Sequence, residues 1–285
     1  MRRKICVSIV LAPLAAVAIS GAASAAEPVR FSPHRAVYEV TLKRAAPGSG
    51  VAGLNGRMVF ELNGSESDGY TQNMRFVTRM TNQEGAETIN DLRSSSFEDL
   101  AGKRLRFSSQ QYQNDVIVET SQGDAAHDAA SNSARVNLTK PKKSKFELPS
   151  DIYFPIQHAA ALITAAREGR QLIAANLYDG SEKGDKYYAT TSVIGKKAER
   201  GAEKTKAAFA GADRLAEFAS WPMAISYFDP KKVKEDSPPA YELAFRYYEN
   251  GVTADLSIDY GEFAIEGKLS QLTFLDAAQC ADGAH

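Results

Sequence analysis

The chain's whole stock of imidazoles is His34, His127, His158 and His285. None stands at metal-ligand spacing from another His or from a Cys, so the sequence offers no zinc site and no metal is expected. There is no G-x-S-x-G nucleophile elbow, P-loop or dinucleotide-binding glycine pattern. The reading therefore assigns no catalytic residue and no cofactor. The segment Gly64-Ser65-Glu66-Ser67-Asp68-Gly69 has only the composition of a hairpin loop. Adjacent carboxylates such as Glu98-Asp99 and Glu235-Asp236 fall in predicted turns, and glycosidase chemistry would need two carboxyls facing each other across a cleft. His158 has two readings. Its neutral ring packs at the start of a helix beside Gln157 and satisfies a buried backbone carbonyl, or it acts as a base. The last hairpin gathers Tyr247, Tyr248 and Tyr260, with Phe245 and Phe263 nearby. Such rings either fill a β core or line a concavity that suits a lipid chain or a peptide.

The element that positions His158 is the clearest helix in the sequence, within residues 148–179. Ile156, Ala159, Ala160, Ile163 and Ala166 fall near i, i+3, i+4 and i+7 and make one apolar stripe. Pro155 suits the first helical turn, where its missing N–H costs nothing. Gly169 suits the C′ position, and Arg167 lies near the negative end of the dipole. Phe154 is a poor cap, so Ser150 or Asp151 is expected to start a looser turn. Pro155, His158, Ile163 and Gly169 are therefore expected to be structural residues. Small residues on the stripe predict close packing of the helix against a sheet.

Around this helix the chain alternates with a period of two. Tyr38, Val40 and Leu42 alternate with Glu39 and Thr41, and Met58, Phe60 and Leu62 with Arg57 and Glu61. Tyr70, Gln72, Met74, Phe76 and Met80 share one face of the next strand. One face meets a core and the other meets water. The same reading places strands through 88–97, 105–112, 116–120 and 136–138, and a hairpin of 172–178 with 187–194. Trp221 to Phe228 reads as a strand opened by Pro222. Asn250-Gly251 predicts a type I′ hairpin between 241–247 and 254–260. The total is about a dozen or more strands. Residues 123–133 read as a mobile loop, and Lys140 to Lys145 as a basic turn, either solvated or a weak site for anionic polymer or lipid head groups. Residues 196–215, rich in Lys, Ala and Glu, read as a mobile insertion.

The ends of the chain point to a compartment. Arg2, Arg3 and Lys4, the apolar run from Ile5 to Ile19, and Ala23-Ser24-Ala25 form a signal peptide over residues 1–25. Residues 26–285 then form the mature domain. The formal charge of −1 becomes −4 once the three cations leave, which gives no hint of nucleic acid. No later apolar run is long enough to span a bilayer as a helix, so the mature chain is not expected to be membrane-spanning. Cleavage removes Cys6 and leaves Cys280 as the lone cysteine, in a tail expected to be exposed.

Three groups of residues carry a resemblance. The first is His34-Arg35-Ala36-Val37-Tyr38 with Asn63-Gly64-Ser65, Gly69-Tyr70 and Arg75-Phe76-Val77-Thr78. The second is Leu148-Pro149 with Phe154-Pro155-x-x-His158 and Leu162-Ile163-x-Ala165-Ala166. The third is Tyr178-Asp179-Gly180-Ser181. Together they are similar to the cell envelope integrity protein EipB family of Gram-negative periplasms, over essentially all of the mature chain. The resemblance implies a mainly β fold: one long antiparallel sheet curled into an open barrel, a β-spiral, with one central helix packed against it. It implies a periplasmic, non-enzymatic role in envelope integrity under stress. The protein would act as a scaffold or binder of envelope proteins, lipids or lipoproteins. The alternative is a carrier of lipid or lipoprotein with an apolar cavity. An outer-membrane barrel and a hydrolase relying on His158 are the other classes weighed. The family pairs an early cysteine with one near the C-terminus. Cys280 matches the second, but Ser67 stands at the first, so that bridge is not expected. On the chain-entropy model it would be worth about 4–5 kcal/mol.

Overall fold

The structure, a computed structural model, describes residues 27–99, 103–128, 133–202, 209–232 and 237–276. The proposed signal segment and Cys280 lie outside the described residues. Alternating sequence becomes strand throughout. The first eight strands are β1 (His34–Ala45), β2 (Val51–Ser65), β3 (Gly69–Asn82), β4 (Glu87–Glu98), β5 (Arg104–Gln113), β6 (Val116–Asp128), β7 (Ser133–Lys140) and β8 (Ser144–Leu148). A two-residue strand, β9 (Ile152–Tyr153), leads into α1 (Pro155–Arg167). The chain returns through β10 (Leu172–Leu177), β11 (Tyr188–Ile194), a four-residue helix α2 (Ala212–Leu215), β12 (Ser220–Phe228), β13 (Tyr241–Tyr248), β14 (Thr253–Asp259) and β15 (Phe263–Phe274).

All fifteen strands form one sheet, in the order β8-β7-β6-β5-β4-β3-β2-β1-β15-β14-β13-β12-β11-β10-β9. The chain enters at the middle, zigzags to one edge, crosses by way of α1, and zigzags back from the other edge until β15 pairs with β1. The pairing of β9 with β10 is parallel, and the other ladders are antiparallel. Only Pro149, Ser150 and Asp151 separate the edge strands β8 and β9, so the curled sheet brings its two edges together there. This is the open barrel with a helix packed against it that the resemblance implies.

Three apolar clusters hold the roll together. Leu162, Ile163, Ala165 and Ala166 of α1 pack against Trp221, Met223 and Ile225 of β12 and Phe245 and Tyr247 of β13. Each fully buried Leu or Ile here contributes about 1.5–3 kcal/mol. A second cluster joins Tyr38 and Val40 to Ile265, Leu269 and Leu272. The third is an overlap, where the β10–β11 connection lies on the far end of the sheet. Tyr178 packs with Phe107, Val136 and Leu138, and the Ser121 hydroxyl donates to the Gly180 carbonyl at 2.6 Å. Gly180 (φ 73°) lies so close under the Phe107 ring that a Cβ there would sit 2.2 Å from its Cδ2.

Several sequence expectations need correction. Residues 123–128 are strand, because Ala125 packs beneath Leu105 and Val136 in the overlap. The 196–215 segment is anchored at its ends. Ala198 and Ser220 exchange backbone hydrogen bonds, and Leu215 is 1% exposed in the second cluster. At the Asn250-Gly251 turn only Gly251 takes positive φ, 87°, so the turn is not type I′. The hydrogen bonds explain the difference: Gly251 N–H donates to the Tyr248 carbonyl and Tyr248 N–H to the Val252 carbonyl, so Glu249 and Asn250 hold the centre of the turn and Gly251 follows as a bulge. Neither Ser150 nor Asp151 caps α1. Phe154 is the N-cap residue, and the polar partner of the helix end comes from β4.

Candidate functional site

Inward-facing side chains of the roll line a space of two adjoining chambers. Its deep end, about 320 Å³, is walled by Tyr38, Leu62, Ile156, Leu162, Phe245 and Leu256, among others. A wider outer chamber of about 880 Å³ shares Met58, Phe60, Gln72, Met74, Pro155, Leu243 and Ile258 with it. The interior is therefore hollow between α1 and the sheet. This explains why Ile156 and Ala159, on the predicted apolar stripe, are only partly buried while Leu162 and Ala165 are fully so. Apolar chambers of this size with a few placed polar groups are the usual form of a small-molecule site.

The outer chamber changes character toward its mouth. On one wall Tyr227 and Tyr241 stack at 4.3 Å between ring centroids, 16° from parallel. Tyr188 meets both edge-on, and Tyr260 leans on Tyr241. Burial raises the Tyr227, Tyr241 and Tyr260 phenols above their ordinary range, so they stay neutral. The facing wall comes from β3 to β5. In register, Gln72 lies opposite Ser96, Met74 opposite Ser94, and Ser94 opposite Ser109. At the rim the Lys186 side chain is 16% exposed. Its ammonium pairs with Glu182, lies 3.5 Å from Asp229 Oδ2 and sits 4.8 Å from the Tyr188 ring centroid. Burial lowers the Lys186 pKa, but these carboxylates outweigh it and raise the net value.

The N-terminus of α1 borders the deep end and holds two unusual titratable groups. Glu98, the last residue of β4, is 2% exposed. Its Oε2 accepts from Ile156 N–H at 2.7 Å and its Oε1 from Gln157 N–H at 2.8 Å. A carboxyl 58 residues upstream thus takes the place of a local cap. Burial pushes its pKa up to about 7, against the pull of the two N–H bonds. His158 is 4% exposed, and burial lowers it to about 4, so the ring is neutral near pH 7. Its Nε2 lies 3.4 Å from Thr190 Oγ1, which itself donates to the Ala175 carbonyl. A threonine hydroxyl thus stands where a backbone carbonyl was expected.

The residues singled out in the sequence are dispersed. Pro155 is the first residue of α1 and borders both chambers. Ile163 is fully buried in the helix–sheet cluster. Gly169, φ 74°, follows the helix, where its N–H and that of Arg170 satisfy the Ala166 and Ala165 carbonyls. Ser67 is exposed in the β2–β3 turn, where its hydroxyl donates to Asp68. Of the aromatic group, Phe245 and Tyr247 line the deep end and Tyr260 the mouth, while Tyr248 and Phe263 pack in the second cluster. Sequence reasoning placed Glu98 in a turn, whereas it ends β4 with its side chain buried, and it did not single out Ser94, Ser109, Tyr188, Tyr227 or Tyr241 as site residues. Parity offered a signal: Ser94, Ser96 and Glu98 share one face of an alternating strand, so an inward strand carries Glu98 inward with it.

The family pattern described as EipB-like matches residues 25–276. A curated relative, the cell envelope integrity protein EipB of Brucella abortus, is 39% identical over 264 residues, spanning 93% of this chain and 91% of that protein. A crystal structure of a β-barrel-like protein of a domain of unknown function, also from Brucella abortus, superimposes with a TM-score of 0.80 at 39% identity. It covers 87% of this chain and 100% of that one.

Proposed function

We propose, from the premise that this chain belongs to the EipB-like family, that it is a non-enzymatic periplasmic protein supporting envelope integrity. In this role it holds a lipid or the acyl part of a lipoprotein inside its rolled sheet. The relative's name supports the envelope role. The observation that carries the binding role is the pair of adjoining chambers, apolar where α1 closes the inner one and polar at the mouth of the outer one. That gradient matches an amphiphile inserted tail first. The scaffold reading has no need of such a space. The outward face supports a water-exposed exterior, because it carries ion pairs such as Arg57–Glu39 and Arg79–Glu87 where a membrane barrel would present apolar side chains. The expected signal peptide, residues 1–25, supports the compartment, and a mature N-terminus at Ala26 in the periplasmic fraction is the result to look for.

The test is native mass spectrometry of the protein purified without detergent, followed by titration with a fluorescent fatty acid. Ala159 lines the deep end, so Ala159→Trp should abolish or greatly weaken uptake while circular dichroism stays unchanged. Failure of the unsubstituted protein to bind any acyl probe, or unchanged uptake by a folded Ala159→Trp protein, would overturn the reading.

A further inference from the structure

We infer that the mouth of the cavity recognises an uncharged, polyhydroxylated head group, so that the amphiphile held here is a glycosylated one. The inference rests on the cavity-binding reading above and adds the chemistry of the head.

The two walls of the outer chamber set this chemistry. The β4–β5 wall presents Ser94, Ser109 and Gln111, side chains that both donate and accept hydrogen bonds and carry no charge. The opposite wall presents the phenols of Tyr227, Tyr241 and Tyr260. Among the described residues none of these six groups has a hydrogen-bond partner in the protein. Polar atoms facing a partly enclosed space without partners are what a ligand's own hydroxyls would satisfy. A sugar also offers apolar C–H faces, and the ring of Tyr260, 39% exposed at the mouth, gives them a flat surface.

Charged heads fit worse, for two separate reasons. Among the described residues around the outer chamber, Glu119, Asp179, Glu182 and Asp229 face only Lys186 and Lys232 as cations. Lys186 is already engaged by Glu182 and Asp229. A phosphate would therefore enter beside surplus carboxylates without a free buried cation, which desolvation makes costly. For a quaternary ammonium, the Tyr188 ring, whose hydroxyl donates to Glu182, is already taken: the chain's own Lys186 ammonium lies 4.8 Å from its centroid.

The experiment is calorimetric titration of the purified, delipidated protein with four dodecyl amphiphiles below their micelle concentrations: maltoside, phosphate, trimethylammonium and phosphocholine. The maltoside should bind at least about ten-fold tighter than the others. Ser94→Ala and Tyr241→Phe should each weaken the maltoside about three- to ten-fold, the value of one lost hydrogen bond. Unchanged circular dichroism and thermal unfolding show that the variants are folded, and maltoside affinity unchanged in both folded variants overturns the inference. Equal binding of all four heads, or preference for a charged one, overturns this inference and leaves the acyl cavity standing. Binding of none overturns both.

Discussion

Replacing Glu98 by Gln tests whether the end of α1 is closed by a carboxyl that gives up its proton only near neutrality. The native group is 2% exposed and its pKa is pushed from 4.5 up to about 7. A folded-state value above the unfolded one means that the folded protein holds the proton more tightly. Its contribution is then complete below pH 4.5 and is lost as pH rises through 7. From 4.5 to about 7, at about 1.4 kcal/mol per pH unit, the loss is about 3 kcal/mol. Gln keeps the size and one acceptor but cannot titrate. Guanidinium unfolding between pH 4.5 and 8 can be followed by Trp221, the sole tryptophan, buried against α1. The stability of the native protein minus that of Glu98→Gln should fall by about 3 kcal/mol across this range. Other groups cancel in the difference. A flat difference would refute the raised pKa. A difference that grows with pH would mean that the two N–H bonds and the helix dipole outweigh burial, leaving a depressed carboxylate.

His158 works in the opposite sense: lowered from 6.5 to about 4 by burial, it contributes stability above pH 6.5 that is lost as pH falls through 4. In the Glu98→Gln background, the stability of the protein with His158 minus that with His158→Asn should fall by about 3 kcal/mol on acidification over that window; His34 and His127, also lowered by burial, cancel in the difference. Gly180→Ala forces a Cβ into the Phe107 ring at positive φ, so it should cost about 2–4 kcal/mol and speed amide hydrogen exchange across 179–185. Leu215→Ala should cost about 2–5 kcal/mol and speed amide hydrogen exchange across 212–219. Leu172→Ala, 63% exposed, should stay within about 0.5 kcal/mol of native in thermal unfolding.

The fold was legible where the signal is local. Tyr38 and Val40, or Met58, Phe60 and Leu62, declare a strand and its buried face within a few residues. Pro155 and Gly169 stand at the two ends of the helix. Legibility failed where a distant part of the chain supplied the missing partner. Phe154 is a poor cap by itself, and its helix begins there because Glu98 arrives from β4. Asn250-Gly251 announces a turn, but its centre lies one residue earlier, at Glu249 and Asn250, where Glu249 N–H donates to the distant Ala219 carbonyl. Residues 123–128 look like a loop until the overlap with β5 and β7 gives Ala125 something to cover.

The candidate site divides in the same way. By itself the sequence determined which side chains share a face, because two-residue periodicity is a property of the local backbone. Its likeness to a known family pointed to the curled sheet and its single crossing helix. Only the tertiary structure decided what each inward face meets. The register of fifteen paired strands sets how far the sheet curls, and α1 fills only part of the space enclosed. The same alternating residues therefore pack solidly around Trp221 and stand open around Tyr241.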